Sequence, residues 1–68
     1  MLRLEELRKK RGLTQEALAS KVGVTQGHIS GLENETYMPS FDLLIKLAQV
    51  LDCSLDELVD MKSNSAAS

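Results

Sequence analysis

Residues 13–34 read LTQEALASKVGVTQGHISGLEN, and within them one device occurs twice: an apolar residue, a threonine, a short amphipathic run and a stop. Thr14 has the chemistry of a helix N-cap, Leu13 and Leu18 have the spacing of a hydrophobic staple, and Ala17, Leu18 and Val22 form one apolar stripe that ends at Gly23. Val24-Thr25 repeats this, with Thr25 as N-cap and Val24 placed to staple Ile29. The second run has Ile29 and Leu32 as its core candidates and a polar, thin opposite face. Two or three residues around a glycine are too few for the helices to lie antiparallel, so they must cross steeply.

Upstream, Leu2, Leu4 and Leu7, continued by Arg8 and Arg11, predict a first helix that stops at Gly12. Downstream, the third helix is expected to fray near Asn34, with Glu35 to Pro39 as a loop. Ser40 then caps a fourth helix, on which Leu44, Leu47, Ala48 and Leu51 share one side. Ser54 with Glu57 makes a capping box and Cys53 with Leu58 a staple, which predicts a fifth, two-turn helix over 55–60. No segment has a convincing strand period. The expected fold class is all-α, a compact bundle of five helices forming one domain over 1–61, with a small polar, disordered tail over 62–68.

Sixty-eight residues, 43% apolar and 26% charged, suffice for one domain and exclude most enzymes. With Tyr37 and Phe41 as its aromatics the core must be aliphatic, and so small a core rarely yields more than about 3–5 kcal/mol without association, which makes a dimer reasonable. Cys53 is the single cysteine, so there is no internal disulfide, and with His28 as the single histidine no zinc site is expected. A reducing, cytoplasmic setting without a membrane segment follows. No cofactor, metal, catalytic group or small-molecule substrate is expected.

The net charge of −2 conceals an uneven distribution. Residues 1–21 hold Arg3, Arg8, Lys9, Lys10, Arg11 and Lys21 against Glu5, Glu6 and Glu16, while residues 22–60 hold Lys46 against seven carboxylates. A basic pole can attract phosphates while an acidic pole suppresses indiscriminate binding.

The segments LRKKRGLTQEALASKVGVTQGHISGLEN and PSFDLLIKLAQVLDCSLDELV together resemble the phage-repressor-like, XRE-type helix-turn-helix family over about residues 3–60. The resemblance implies a lambda-repressor-like domain whose third helix enters the major groove of double-stranded DNA, with the second lying across the backbone. It also implies a homodimer on a two-fold operator and a role as a transcriptional regulator, most simply a repressor.

On this reading Gln15, at the first turn of its helix, donates to a phosphate. Gln26 is the best specific reader, since its amide can pair with an adenine edge; Ser30 approaches any base and discriminates little. Thr25, Gly27 and Gly31 lie on or beside the same face, and the glycines would let the helix backbone approach the groove. His28 is a candidate phosphate donor. Arg8 and Glu33 match family positions that pair to orient the guanidinium toward the backbone, while Lys9, Lys10 and Arg11 supply long-range attraction.

Where the family has glycine and then a basic residue, this chain has Glu35-Thr36. Asn34 can adopt a left-handed turn there and offer its amide, and Thr36 or Tyr37 a hydroxyl. Leu55 matches a family dimer position, with Met38, Phe41 and Ile45 as weaker candidates for the same interface. The rival reading is a protein-interaction module, antitoxin-like or an anti-regulator, favoured by the acidic residues 52–60, Glu35 and the two helix-three glycines. A steep fall of DNA affinity with salt would separate the two.

Overall fold

The computed structural model describes residues 2–59, so the expected tail over 62–68 lies outside the described residues. Five helices follow in order: α1 Leu4–Lys10, α2 Gln15–Val22, α3 Gln26–Glu33, α4 Phe41–Leu51 and α5 Leu55–Leu58. The all-α expectation holds among these residues. The four expected caps are made: the hydroxyls of Thr14, Thr25, Ser40 and Ser54 accept from the backbone N–H groups of Ala17, His28, Leu43 and Glu57. At α5 the box closes fully, because Glu57 also accepts from the Ser54 N–H.

Helix ends follow one rule. The residues after α1, α2, α3 and α4 include one left-handed position each, at Gly12, Gly23, Glu35 and Asp52. The next residue then donates its N–H back over the last turn, from Leu13 to Arg8, Val24 to Ala19, Thr36 to Gly31 and Cys53 to Ala48. Leu13, Val24 and Cys53 are thereby turned onto the core, which packs them where a staple residue belongs.

Three details correct the reading of the sequence. The α4 stripe is Leu43, Leu47, Ala48 and Leu51, with Leu44 only partly buried, and the α2 stripe is Leu18, Ala19 and Val22, with Ala17 at its margin. Both stripes rotate toward the common core of Leu4, Ile29, Leu32 and Leu58. α5 is one turn, ending at Leu58 and not at residue 60, because Val59 turns extended and forms an antiparallel bridge with Leu2. Leu2 is therefore buried outside α1, and the Arg3 N–H donates to the Leu58 carbonyl at 2.8 Å. The left-handed residue after α3 is Glu35, whereas Asn34 is right-handed at φ −84°.

Candidate nucleic-acid interface

α2 and α3 are joined by Gly23 to Thr25, and the tight passage depends on Gly23 at φ 81°, where a Cβ would be strained. Their N-terminal turns are thereby brought together. A shallow cleft at this corner is lined by Arg8, Thr14, Gln15, Glu16 and Gln26.

Four side chains from three helices form one chain of hydrogen bonds there. Arg8 donates through Nε to Glu33 Oε2 at 2.6 Å and through Nη2 to Oε1 at 3.3 Å, while its Nη1 donates to the Leu13 carbonyl at 2.7 Å. Gln15 Nε2 donates to Glu33 Oε1 at 2.8 Å, and Gln26 Nε2 donates to Gln15 Oε1 at 2.5 Å. The Arg8 and Glu33 side chains are 9% and 4% exposed, so the expected pair is present and desolvated. Its guanidinium is held above the usual arginine range, mainly by the hydrogen bond to Glu33.

The direction of this chain follows from Glu33. A carboxylate only accepts, so Gln15 must present its Nε2, which turns its carbonyl toward Gln26 and obliges Gln26 to present Nε2 in turn. Each glutamine keeps one N–H free of this chain, and Gln26 keeps its carbonyl oxygen. Gln26 thus retains the donor and acceptor that an adenine edge requires, and Gln15 retains the donor that a phosphate oxygen requires.

Along α3, Gln26 and Gly27 are exposed and Ser30 and His28 half-buried, while Ile29 and Leu32 are fully buried beneath them. Thr25 accepts through Oγ1 from the His28 N–H, so its own O–H proton is left to donate outward. A Cβ at Gly27 would meet nothing within 4 Å, which leaves the backbone there open to close approach. Gly31 differs, because the Tyr37 ring covers it. Asn34 and Thr36 are exposed beyond the helix end, and Glu35 lines a groove with Leu2, Arg3, Glu5 and Glu6 beside α1.

Much of the basic pole is engaged within the protein, while Lys9, Lys10 and Lys21 remain exposed. Arg11 donates to the Leu51 carbonyl at 2.7 Å and to that of Asp52 at 3.0 Å, closing the C-terminus of α4; Lys9 pairs with Glu5 at 3.0 Å and Arg3 with Glu6 at 2.8 Å. Lys10 acts electrostatically on Glu6 and Glu57. The Tyr37 hydroxyl is likewise engaged, donating to the carbonyl of His28 at 3.2 Å. Counting charges along the chain could not reveal these pairings, which link residues up to 41 positions apart.

Of the residues expected at a dimer contact, Met38 and Phe41 are 67% and 66% exposed and Leu55 is 37% exposed. Ile45 is half-buried and lines a shallow groove with Ala48, Gln49, Cys53 and Leu55 between α4 and α5. No described helix is long and apolar enough to cross a membrane. Among the described residues no three His, Cys, Asp or Glu side chains gather as a metal ion would need.

The helix-turn-helix family model matches residues 4–58. An HTH-type transcriptional regulator of Archaeoglobus fulgidus is 45% identical over 56 residues, which cover 82% of this chain and 80% of that protein. Against two HTH-type regulators of Bacillus subtilis, the chain spans only 53% of their length. Among solved structures, the P22 c2 repressor bound to a synthetic operator superposes with a TM-score of 0.79 at 37% identity, covering 84% of this chain and 86% of that one. The biofilm regulator SinR in complex with DNA superposes with a TM-score of 0.73 at 35% identity, covering 78% and 86%. The chain belongs to the XRE-type helix-turn-helix family, whose members are non-enzymatic, DNA-binding transcriptional regulators.

Proposed function

We propose that this protein is a cytoplasmic, sequence-specific transcriptional repressor that binds a two-fold operator as a homodimer, with α3 in the major groove. The observation that carries this reading is the Arg8–Glu33–Gln15–Gln26 chain, which presents two oriented amides at the corner where α2 and α3 begin. Gln15 holds a phosphate and Gln26 reads a base, with Thr25, Ser30 and His28 around them and Gly27 admitting the backbone. Asn34 and Thr36 add neutral phosphate contacts, and Arg8 works through Glu33 as a positioning residue. Leu55, with Met38, Phe41 and Ile45, forms the contact between subunits, so that two modest half-site affinities combine. The P22 c2 and SinR complexes with DNA support the choice of partner.

Because Arg8 and Arg11 are held within the fold and Arg3 and Lys9 are paired at its surface, neutral donors and helix N-termini meet phosphates beside the exposed lysines. The salt dependence is then shallower than the basic N-terminal count implies, with roughly one or two phosphates neutralised per subunit. Selection of bound duplexes from a random pool, followed by titration at two salt concentrations, tests this. Two symmetric half-sites about one DNA turn apart are expected. No enriched sequence, together with no affinity at low salt, overturns the reading.

A further inference from the structure

Gly31 lies beneath a side chain from the following loop. A Cβ built there would stand 2.5 Å from Tyr37 Cζ and Oη and 2.7 Å from Cε1, so the ring and a side chain at this position exclude one another. The Tyr37 hydroxyl donates to the His28 carbonyl at 3.2 Å and lies 3.5 Å from that of Gly27, and its ring packs against the His28 imidazole with centroids 4.9 Å apart. At 100° per residue, positions 27 and 31 point away from buried Ile29 and Leu32, onto the outward face of α3. One turn earlier on that face, Gly27 is open. Tyr37 therefore holds the place that a side chain from α3 itself would otherwise occupy.

We propose that Tyr37 is a specificity-determining residue, a loop side chain that stands in for the one missing at Gly31 and reads a base pair next to that read by Gln26. The inference rests on the reading of α3 as the groove-entering helix. The hydroxyl has a single proton, and the helix carbonyls take it. What Oη offers outward is an acceptor, which a phosphate oxygen repels and an exocyclic amino group, adenine N6 or cytosine N4, satisfies. Tyr37 is 39% exposed, so a base edge can reach it. An aromatic group fixed at both ends also loses little freedom on binding, unlike a long flexible side chain.

The test is selection from a random duplex pool with the wild type, Tyr37→Phe, Tyr37→Ala and Gly31→Ala, with thermal unfolding of each. Tyr37→Phe keeps the ring and its contact with His28 but removes the whole hydroxyl, the outward acceptor together with the bond to the His28 carbonyl, so its thermal unfolding is read beside its sequence profile. It is expected to fold as the wild type does and to lose about 2- to 10-fold of preference at one base pair, the others unchanged. Gly31→Ala, which displaces the ring, should lose preference at that same pair. If Tyr37→Phe and Tyr37→Ala keep the wild-type sequence profile and affinity falls uniformly with stability, Tyr37 merely braces α3 and the proposal is overturned. Absence of any enriched sequence in the wild-type arm overturns instead the reading of α3 beneath it.

Discussion

Gln26 donates to the Gln15 carbonyl at 2.5 Å, so the side chain proposed to read a base is braced by the side chain proposed to hold a phosphate. Gln26→Ala should cost about 1–3 kcal/mol of discrimination at one base pair. Gln15→Ala should weaken binding to all sequences and also release part of that discrimination. The two losses should therefore sum to more than the loss in the double variant, with a coupling of about 0.5 kcal/mol or more. Titrations of the four proteins on operator and on random duplex measure this; strict additivity contradicts the coupling.

The buried Arg8–Glu33 pair predicts that stability and affinity can be separated. Arg8→Ala strands a carboxylate that is 4% exposed, and should destabilise the domain by about 3–5 kcal/mol, comparable to the stability of so small a core. Arg8→Met combined with Glu33→Leu removes both charges and should recover most of the melting temperature. Gln15 then lacks its anchor, so DNA affinity should stay low in the double variant. Recovery of affinity along with stability would show that Glu33 does not orient Gln15.

Glu35 takes a left-handed conformation, φ 59°, at the end of α3, where a side chain is strained by about 1 kcal/mol. Glu35→Gly is expected to raise the melting temperature and, by removing a negative charge near the loop, to tighten DNA binding. Thermal unfolding and a binding titration check both; a drop in melting temperature would mean that the Glu35 side chain makes compensating contacts.

The Glu57 carboxyl is held below its ordinary pKa of 4.5, first by the hydrogen bond from the Ser54 N–H. The unfolded chain binds this proton more readily than the folded one, so the stabilisation is complete above pH 4.5 and is lost as pH falls through the lower, folded value. Glu6, lowered chiefly by its hydrogen bond from Arg3, adds in the same direction. Glu57→Gln should flatten part of the acid limb of a melting temperature against pH profile by lowering the neutral plateau, while leaving the acid end nearly unchanged. An unaltered acid limb would refute the assignment.

What was legible in the sequence is what local chemistry decides. Thr14, Thr25, Ser40 and Ser54 cap their helices because a hydroxyl and a free N–H three residues on need no distant partner. Each stripe differs from its expected set at one member, Ala19 for Ala17 and Leu43 for Leu44, because the neighbouring helices decide which flank of an apolar face is covered. α5 was overestimated because the Leu2–Val59 bridge, formed across the whole chain, stops it. Gly12 and Gly23 mark their left-handed turns by residue type, whereas Glu35 adopts the same conformation with a side chain that does not favour it. At the candidate site, residue type, helix position and the family resemblance single out Gln15 and Gln26, but their bond to one another leaves no sign in the sequence. The burial of Arg8 against Glu33 and of Arg11 against the end of α4 arises from long-range packing, and the ring over Gly31 from the path of the loop, to both of which spacing along the chain is blind.

The corner formed by Gln15 and Gln26 is the edge proposed to meet double-stranded DNA. Its most direct measurement is an NMR titration of the isotopically labelled protein with the selected duplex, following the side-chain amide signals of both glutamines. Large shifts are expected at these two amides and along residues 25–31, with the hydrogens of Gln15 and Gln26 moving together. Shifts confined to α4 and α5, with both amides unmoved at saturating DNA, would contradict it.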